Sequence, residues 1–312
     1  MTTTTTPVQG AAAVPWRGSR RSGSGLRTSQ RRAGVIFALP VVVLELVFLA
    51  APIVQAGYFS LTRWDGITAT WIGTANYQRL FGDPTFWRVI ENNLLLLASV
   101  PFAILIPLLV AYLLNEHVPG WRFFRSAYFL PTAISWVVIG MVALRVFASE
   151  GILNHTLDSI GLGFINTDML SSELSAMVAV AITFIWSVFG TNTIIFITGM
   201  ATLDRDVYEA ARVDGASGFT TFVQITIPML TRFIQFAFIL TLITAFTALF
   251  SLIFVMTGGG PGYGTTTLEF YVYQQGFQVA VFGYAAAIGI VLFAIVFAIS
   301  LVQLRVFRSR LD

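Results

Sequence analysis

Long apolar runs, rather than alternation or narrow amphipathic stripes, dominate the hydrophobic pattern of this chain. Six of them lie at about 35–61, 93–114, 127–147, 176–200, 229–256 and 282–304. A helix needs about 20 mostly apolar residues to cross the hydrocarbon core of a bilayer, and each run meets that length. Prolines fall inside them at Pro40, Pro52, Pro101, Pro107 and Pro131. Membrane helices tolerate prolines where neighbouring groups satisfy the freed carbonyls. The pattern predicts an all-α membrane protein with six transmembrane helices over 35–304.

Polar segments frame these runs. Residues 1–34 contain Arg17, Arg20, Arg21, Arg27, Arg31 and Arg32 and no acidic residue. Such a stretch buries too little apolar surface to offset its ordering entropy, so a disordered basic tail is expected. The apolar run that follows is too long for a cleaved signal peptide and reads as a retained first span. Residues 305–312 form a second tail with Arg305, Arg308 and Arg310. Arginine bias in short connections sets orientation, so both termini are expected in the cytoplasm, which requires an even number of spans. Segment 148–175 carries Glu150, Asp158, Asp168 and Glu173 without a basic residue, and segment 257–281 holds only Glu269. Both are expected outside.

Composition narrows the chemistry. Only 11% of the 312 residues are charged, 56% are hydrophobic, and mean hydropathy is +0.79. Soluble domains carry roughly 25% charged residues. There is no cysteine, which removes disulfides, thiolate metal sites and cysteine nucleophiles. All 18 basic residues are arginine, so neither a lysine-bearing phosphate loop nor a Schiff base is available. No cofactor of that kind is expected on this chain, and no metal-ligand cluster or paired acid/base set stands out, so no catalytic role is expected. Its two histidines, His117 and His155, sit in different connections. The pI near 9.4 reflects arginines flanking the spans, which read as topology signals and not as a nucleic-acid surface.

Between the fourth and fifth runs, the loop 203–228 reads as helix, turn, helix. Asp206 with Glu209 three residues on forms an acidic version of a capping box. Gly215 supplies a left-handed stop, Ser217 caps a second helix, and Pro228 marks the bend into the fifth span. Ala210 and Ala211 let another surface approach closely, and Glu209 and Asp214 offer charge to a basic partner. On physics alone, a docking element and an amphipathic loop lying on the membrane are equally good readings.

The residues Glu209-Ala210-Ala211, then Gly215, then Ile225 and Ile227-Pro228, resemble the EAA signature of ABC-importer permeases. The stretch from Tyr208 to Ser217 is similar to the carbohydrate branch of that family. The usual leucine before the proline is Ile227 here. Met256 to Gly262, with Tyr271-Val272-Tyr273, and the stretch Trp71 to Phe81 resemble further segments of sugar permeases. Many relatives have aspartate where this chain has Ser251. The resemblance implies that Tyr208, Glu209, Ala210, Ala211, Asp214, Gly215, Ala216, Phe222 and Pro228 couple the spans to ATPase subunits. The implied partners are two ATP-binding subunits carrying ATP and Mg, a second permease subunit, an extracytoplasmic sugar-binding protein, a carbohydrate substrate and membrane lipid.

A sugar path needs polar groups within apolar helices. Thr244, Thr247 and Ser251 fall at helical spacings of three and four, and Trp186, Thr191, Asn192 and Thr193 lie in the fourth run. The competing role for each is interhelical hydrogen bonding. Glu45 lies inside the first span, where a carboxylate costs about 2.5–3.5 kcal/mol. It is expected to face the bundle or a partner, to be neutralised, or to mark a proton path. That last reading belongs to an ion-coupled secondary transporter, the alternative to an ATP-driven importer.

Overall fold

The computed structural model describes residues 24–115, 128, 130–165 and 168–308. The start of the expected tail, residues 1–23, the C-terminal residues 309–312 and the opening of the expected third span lie outside these. The chain divides into two units, Met1–Pro52 and Ile53–Asp312.

In the first unit the helix Ser24–Glu45 begins well before the apolar run, so the last part of the expected tail is helical. Arginine, serine and alanine do not forbid helix, and a helix once nucleated extends at little cost. Pro40 sits inside it. A π-helical turn, Leu46–Ala50, follows Glu45 directly. Such turns absorb an inserted residue without ending the helix.

The second unit opens with the end of the helix Ala51–Phe59 and a short antiparallel hairpin pairing Thr62–Trp64 with Ala69–Trp71. Asp65 closes its turn: Oδ1 accepts the N–H of Thr68 at 2.7 Å and of Ile67 at 2.9 Å, and Oδ2 accepts the Thr68 hydroxyl. These donors, the Thr68 N–H foremost, hold the carboxyl at about 2. A helix Ala75–Gly82 then leads to Asp83, which caps Pro84–Leu97 by accepting from the Thr85 N–H. A proline at the first helical position costs nothing there, because its N–H would be unpaired anyway.

Among the described residues, five helical stretches are long and apolar enough to cross a membrane, and six if one bent pair counts as a single span. They are Ile36–Ser60, Pro84–Leu114, Trp136–Ser159, Glu173–Met200 and Phe282–Gln303, with the bent pair Gly218–Met229 and Thr231–Thr247. The second span starts earlier than hydropathy alone suggested, because Asp83 and Pro84 open the helix ahead of the apolar run.

Within the second unit, Glu173–Met200 packs against the second, third and fifth spans. Their shared core includes Leu96, Ala103, Leu108, Ile139, Phe184, Phe196, Ala237, Leu249 and Leu252. A smaller cluster of Leu80, Phe86, Val89, Leu268, Tyr271, Tyr284 and Ile288 joins the second and last spans. The fifth run is not one helix: Thr231–Thr247 ends, Ala248 leaves helical geometry, and Phe250–Met256 starts anew after Leu249. The glycine-rich turn that follows is packed tightly. A Cβ on Gly259, whose φ is +86°, would lie 2.7 Å from both Phe270 Cε1 and Thr266 Oγ1.

Candidate coupling surface and translocation cavity

The loop between the fourth and fifth spans folds as helix, turn and helix. Its first helix is Arg205–Val213, capped by Asp204, whose Oδ1 accepts the Asp206 N–H at 3.1 Å. The cap is therefore Asp204 and not Asp206. The helix starts one residue before the expected capping box, and Asp206 becomes a first-turn acid that favours the positive end of the helix dipole. At the other end Gly215 has φ +76°. Its N–H reaches Arg212 O at 3.1 Å, and the Ala216 N–H reaches Ala211 O at 2.9 Å. This pair of bonds is a Schellman stop. Ser217 caps Gly218–Thr221 as expected, accepting from the Thr220 N–H at 3.2 Å.

Burial separates two faces of the first loop helix. Ala211 is buried, whereas Glu209, Ala210, Asp214 and Gly215 are exposed. Val213 and Phe219 are 87% and 78% exposed, a large apolar offering beside the two acids. Two tyrosines fasten the element to the spans. Tyr208 Oη lies 3.2 Å from Thr226 Oγ1, and Thr226 is fully buried. Tyr112, from the second span, donates to Gly218 O at 3.2 Å, and its ring lies 5.0 Å from that of Phe222. Beyond Phe222 the chain takes a π-helical turn, Phe222–Thr226, and then bends by 74° into Thr231–Thr247. The break sits at Leu230, two residues past Pro228, where the Thr231 hydroxyl donates to Pro228 O at 2.6 Å.

Above this region a cavity of about 330 Å³ lies between the third, fourth and fifth spans. Its polar lining comes from Thr132, Trp136, Ser187, Thr191, Asn192, Thr241 and Thr244, and among the described residues no lining side chain is charged. Asn192 is anchored by its Nδ2, which donates to Ala103 O at 2.8 Å and to Thr241 Oγ1 at 3.0 Å. Of the residues expected along the path, Thr191, Asn192 and Thr244 reach this cavity. Trp186 instead lines a separate apolar pocket with Val142, Val146, Phe147 and Ile182. Successive helical residues are about 100° apart, so Trp186 and Ser187 face different ways. Thr193 is buried with its hydroxyl on Phe189 O. Thr247 bonds Ile243 O, and neither it nor Ser251 lines the cavity. The Thr244–Thr247–Ser251 stripe presupposed one continuous helix, and the break at Ala248 ends that periodicity.

Two acids outside the spans, neither among the expected site residues, organise the opposite end. Asp83 Oδ2 accepts the hydroxyls of Tyr271 at 2.9 Å and Tyr284 at 3.1 Å. Burial pushes its carboxyl up, but the Thr85 N–H and the two phenols outweigh it and hold it below the ordinary aspartate value. The Tyr271 phenol is driven far above its ordinary value, by burial first and by Asp83 second. Glu269 Oε2 accepts the N–H of Leu249 and Phe250, and burial raises its carboxyl despite those donors. Among the described residues no cluster of His, Asp or Glu is arranged to hold a metal ion.

Apolar spans around a polar-lined cavity, with a capped and exposed loop helix, define the class as a multi-span membrane protein. Residues 83–311 match the family of binding-protein-dependent transport system inner membrane components. The chain is 32% identical over 283 residues to the multiple sugar-binding transport system permease protein of Streptococcus mutans, covering 88% of this chain and 95% of that one. It is 32% identical over 296 residues to the lactose transport system permease protein of Rhizobium radiobacter, covering 93% and 98%. A solved bacterial alginate ABC transporter, in complex with a periplasmic protein bound to an alginate pentasaccharide, contains a chain of the same fold. The TM-score is 0.76 at 23% identity, with 91% of this chain and 96% of that one covered. This chain belongs to the family of binding-protein-dependent transport system inner membrane components. It is a non-catalytic, multi-pass permease subunit of the bacterial inner membrane, and ATP hydrolysis resides on a separate subunit. The comparisons give an ion-coupled secondary transporter no support.

Proposed function

We propose that this chain carries an uncharged carbohydrate across the membrane, with the cavity beside Asn192 as part of the path. Its volume sits at the lower end of small-molecule sites, roughly 300–1,000 Å³, and its lining offers hydroxyls, an amide and the indole of Trp136. Sugars are recognised by such groups. Both termini and the loop 203–228 face the cytoplasm, a second permease subunit completes the path, and an external binding protein delivers the cargo. Two ATP-binding subunits supply the energy.

The observation that carries this reading is the capped helix Arg205–Val213, exposed on the face of Glu209, Ala210 and Asp214 and tied through Tyr208 to buried Thr226. A rigid element so fastened transmits a partner's movement to the fifth span, which forms one cavity wall. Swinging a two-state gate from 1:99 to 99:1 takes about 5.5 kcal/mol of differential binding. Nucleotide binding on the partner subunits is a source of that size.

The test is uptake into proteoliposomes of labelled lactose, maltose and trehalose, with the second permease subunit and binding protein present. ATP-dependent uptake of at least one sugar is expected with ATPase subunits present, and none without them. Uptake driven by an ion gradient without ATPase subunits sinks the reading.

A further inference from the structure

We propose that Glu269 is a positioning residue for transport, holding the cavity wall at the break in the fifth span to the outer segment Leu268–Tyr273. This rests on the function proposed above. The break leaves the N–H groups of Leu249 and Phe250 without partners in their own helix, as at any helix start. Glu269 Oε2 accepts both, at 3.1 and 3.0 Å. One side-chain oxygen of a partly buried residue thus satisfies both donors that the helix start leaves open.

Each end of this tie is itself fixed. On one side Ala248 and Thr244 line the cavity, and the Ala248 N–H bonds Thr244 O at 3.1 Å. The tie therefore ends one residue from the cavity wall. On the other side, the segment carrying Glu269 is pinned to the second and last spans. Asn93 Oδ1 accepts the Leu268 N–H at 2.9 Å, and the Tyr271 hydroxyl reaches Asp83, which Tyr284 also contacts. Phe270 is buried with its ring 5.8 Å from that of Phe250. A displacement of Leu268–Tyr273 thus has a short polar route to the cavity wall, and Glu269 is its side-chain link. In the function proposed above, that segment lies on the face that meets the loaded binding protein. Docking there would then reset the wall that receives the sugar.

The test uses the complete complex in proteoliposomes, with the sugar of the lactose, maltose and trehalose panel that the wild type takes up. Hydrolysis is measured with and without the loaded binding protein for Glu269→Ala, Glu269→Asp and Glu269→Gln. Aspartate keeps the charge but falls one methylene short, whereas glutamine keeps the reach and a neutral acceptor. In Glu269→Ala and Glu269→Asp, stimulation by the binding protein is expected to fall at least about fivefold, the lower end of coupling between sites, with basal hydrolysis unchanged. Glu269→Gln should restore part of it. Wild-type stimulation in Glu269→Ala or Glu269→Asp overturns the proposal. So does an equal loss of basal and stimulated hydrolysis, or failure of all three variants to assemble, since each marks a purely structural residue. Failure of the functional reading is distinguishable, because the wild-type complex would then show no ATP-dependent uptake.

Discussion

Tyr208 Oη and Thr226 Oγ1 lie 3.2 Å apart, joining the exposed loop helix to the buried entry of the fifth span. The Thr226 hydroxyl also bonds Thr221 O at 3.3 Å, so it keeps one partner if Tyr208 is shortened. Tyr208→Phe should therefore cost only about 0.5–1.5 kcal/mol, the net worth of one hydrogen bond. Membrane insertion should be normal. Sugar molecules moved per ATP hydrolysed should fall, because the loop helix can shift without drawing the span with it. Uptake and hydrolysis measured on the same vesicles give that ratio, and an unchanged ratio removes Tyr208 from the coupling route.

Gly215 offers a cleaner separation of backbone from side-chain effects. A Cβ there meets nothing within 4 Å, yet φ is +76°. Any loss on substitution is conformational and not steric. The left-handed region costs an ordinary L-residue about 1–2 kcal/mol, while asparagine visits it more readily. Gly215→Val should fray the end of the loop helix and lower retention of the ATPase subunit on purification. Gly215→Asn should retain it nearly as the wild type does. Equal retention by both would show that the Schellman stop does not matter to docking.

The fold was legible wherever one physical signal dominated. Apolar runs mark the spans, because lipid leaves a helix no other solution for its backbone. Gly215 and Ser217 announced a helix end and a helix start through local chemistry alone. The cap at Asp204 was missed because Asp204 and Asp206 are chemically equivalent, and only the backbone path chooses between them. The site was legible in part. Thr191, Asn192 and Thr244 reach the cavity, but Trp186, Thr193, Thr247 and Ser251 do not, and Ser251 lies past a helix break that hydropathy cannot see. Trp136, Ser187 and Thr241 were not singled out, although Ser187 and Thr191 stand at i and i+4 on the fourth span. Glu269 and Asp83 act through partners 19 to 201 residues away in the chain, and no local pattern reports such pairings.

The cavity makes two tryptophans a matched pair. Trp136 lines it together with Asn192 and Thr241, whereas Trp186 lines the apolar pocket beside Val142. Trp136→Ala should raise the half-saturation concentration for sugar uptake by about 10-fold, the effect of losing roughly 1.4 kcal/mol of binding. Trp186→Ala should leave half-saturation unchanged, whatever it does to the amount of protein in the membrane. Uptake measured over a concentration series decides it. The reverse order would move the path to the other side of the fourth span.

Asp83 carries a pH dependence whose sign is fixed by its donors. Its carboxyl lies below its ordinary value in the folded chain: burial opposes ionisation, but the Thr85 N–H, Tyr271 and Tyr284 outweigh it. A carboxyl lowered on folding stabilises the fold above its unfolded value, near 3.9, and loses that contribution as pH falls through the folded value. Asp83→Asn removes the ionisation while leaving an acceptor oxygen of similar reach. The gap in thermal midpoint between wild type and Asp83→Asn in detergent should thus be flat from neutral pH down to about 5, well above the unfolded value. It should narrow as pH falls below the unfolded value and through the lower folded one. Other carboxylates titrate in both proteins and cancel in the difference. Tyr271→Phe should shrink the gap at neutral pH, since one of the donors that lowers Asp83 is then gone. A gap that widened on acidification would require burial to outweigh the donors, the opposite of what the three short contacts to Asp83 imply.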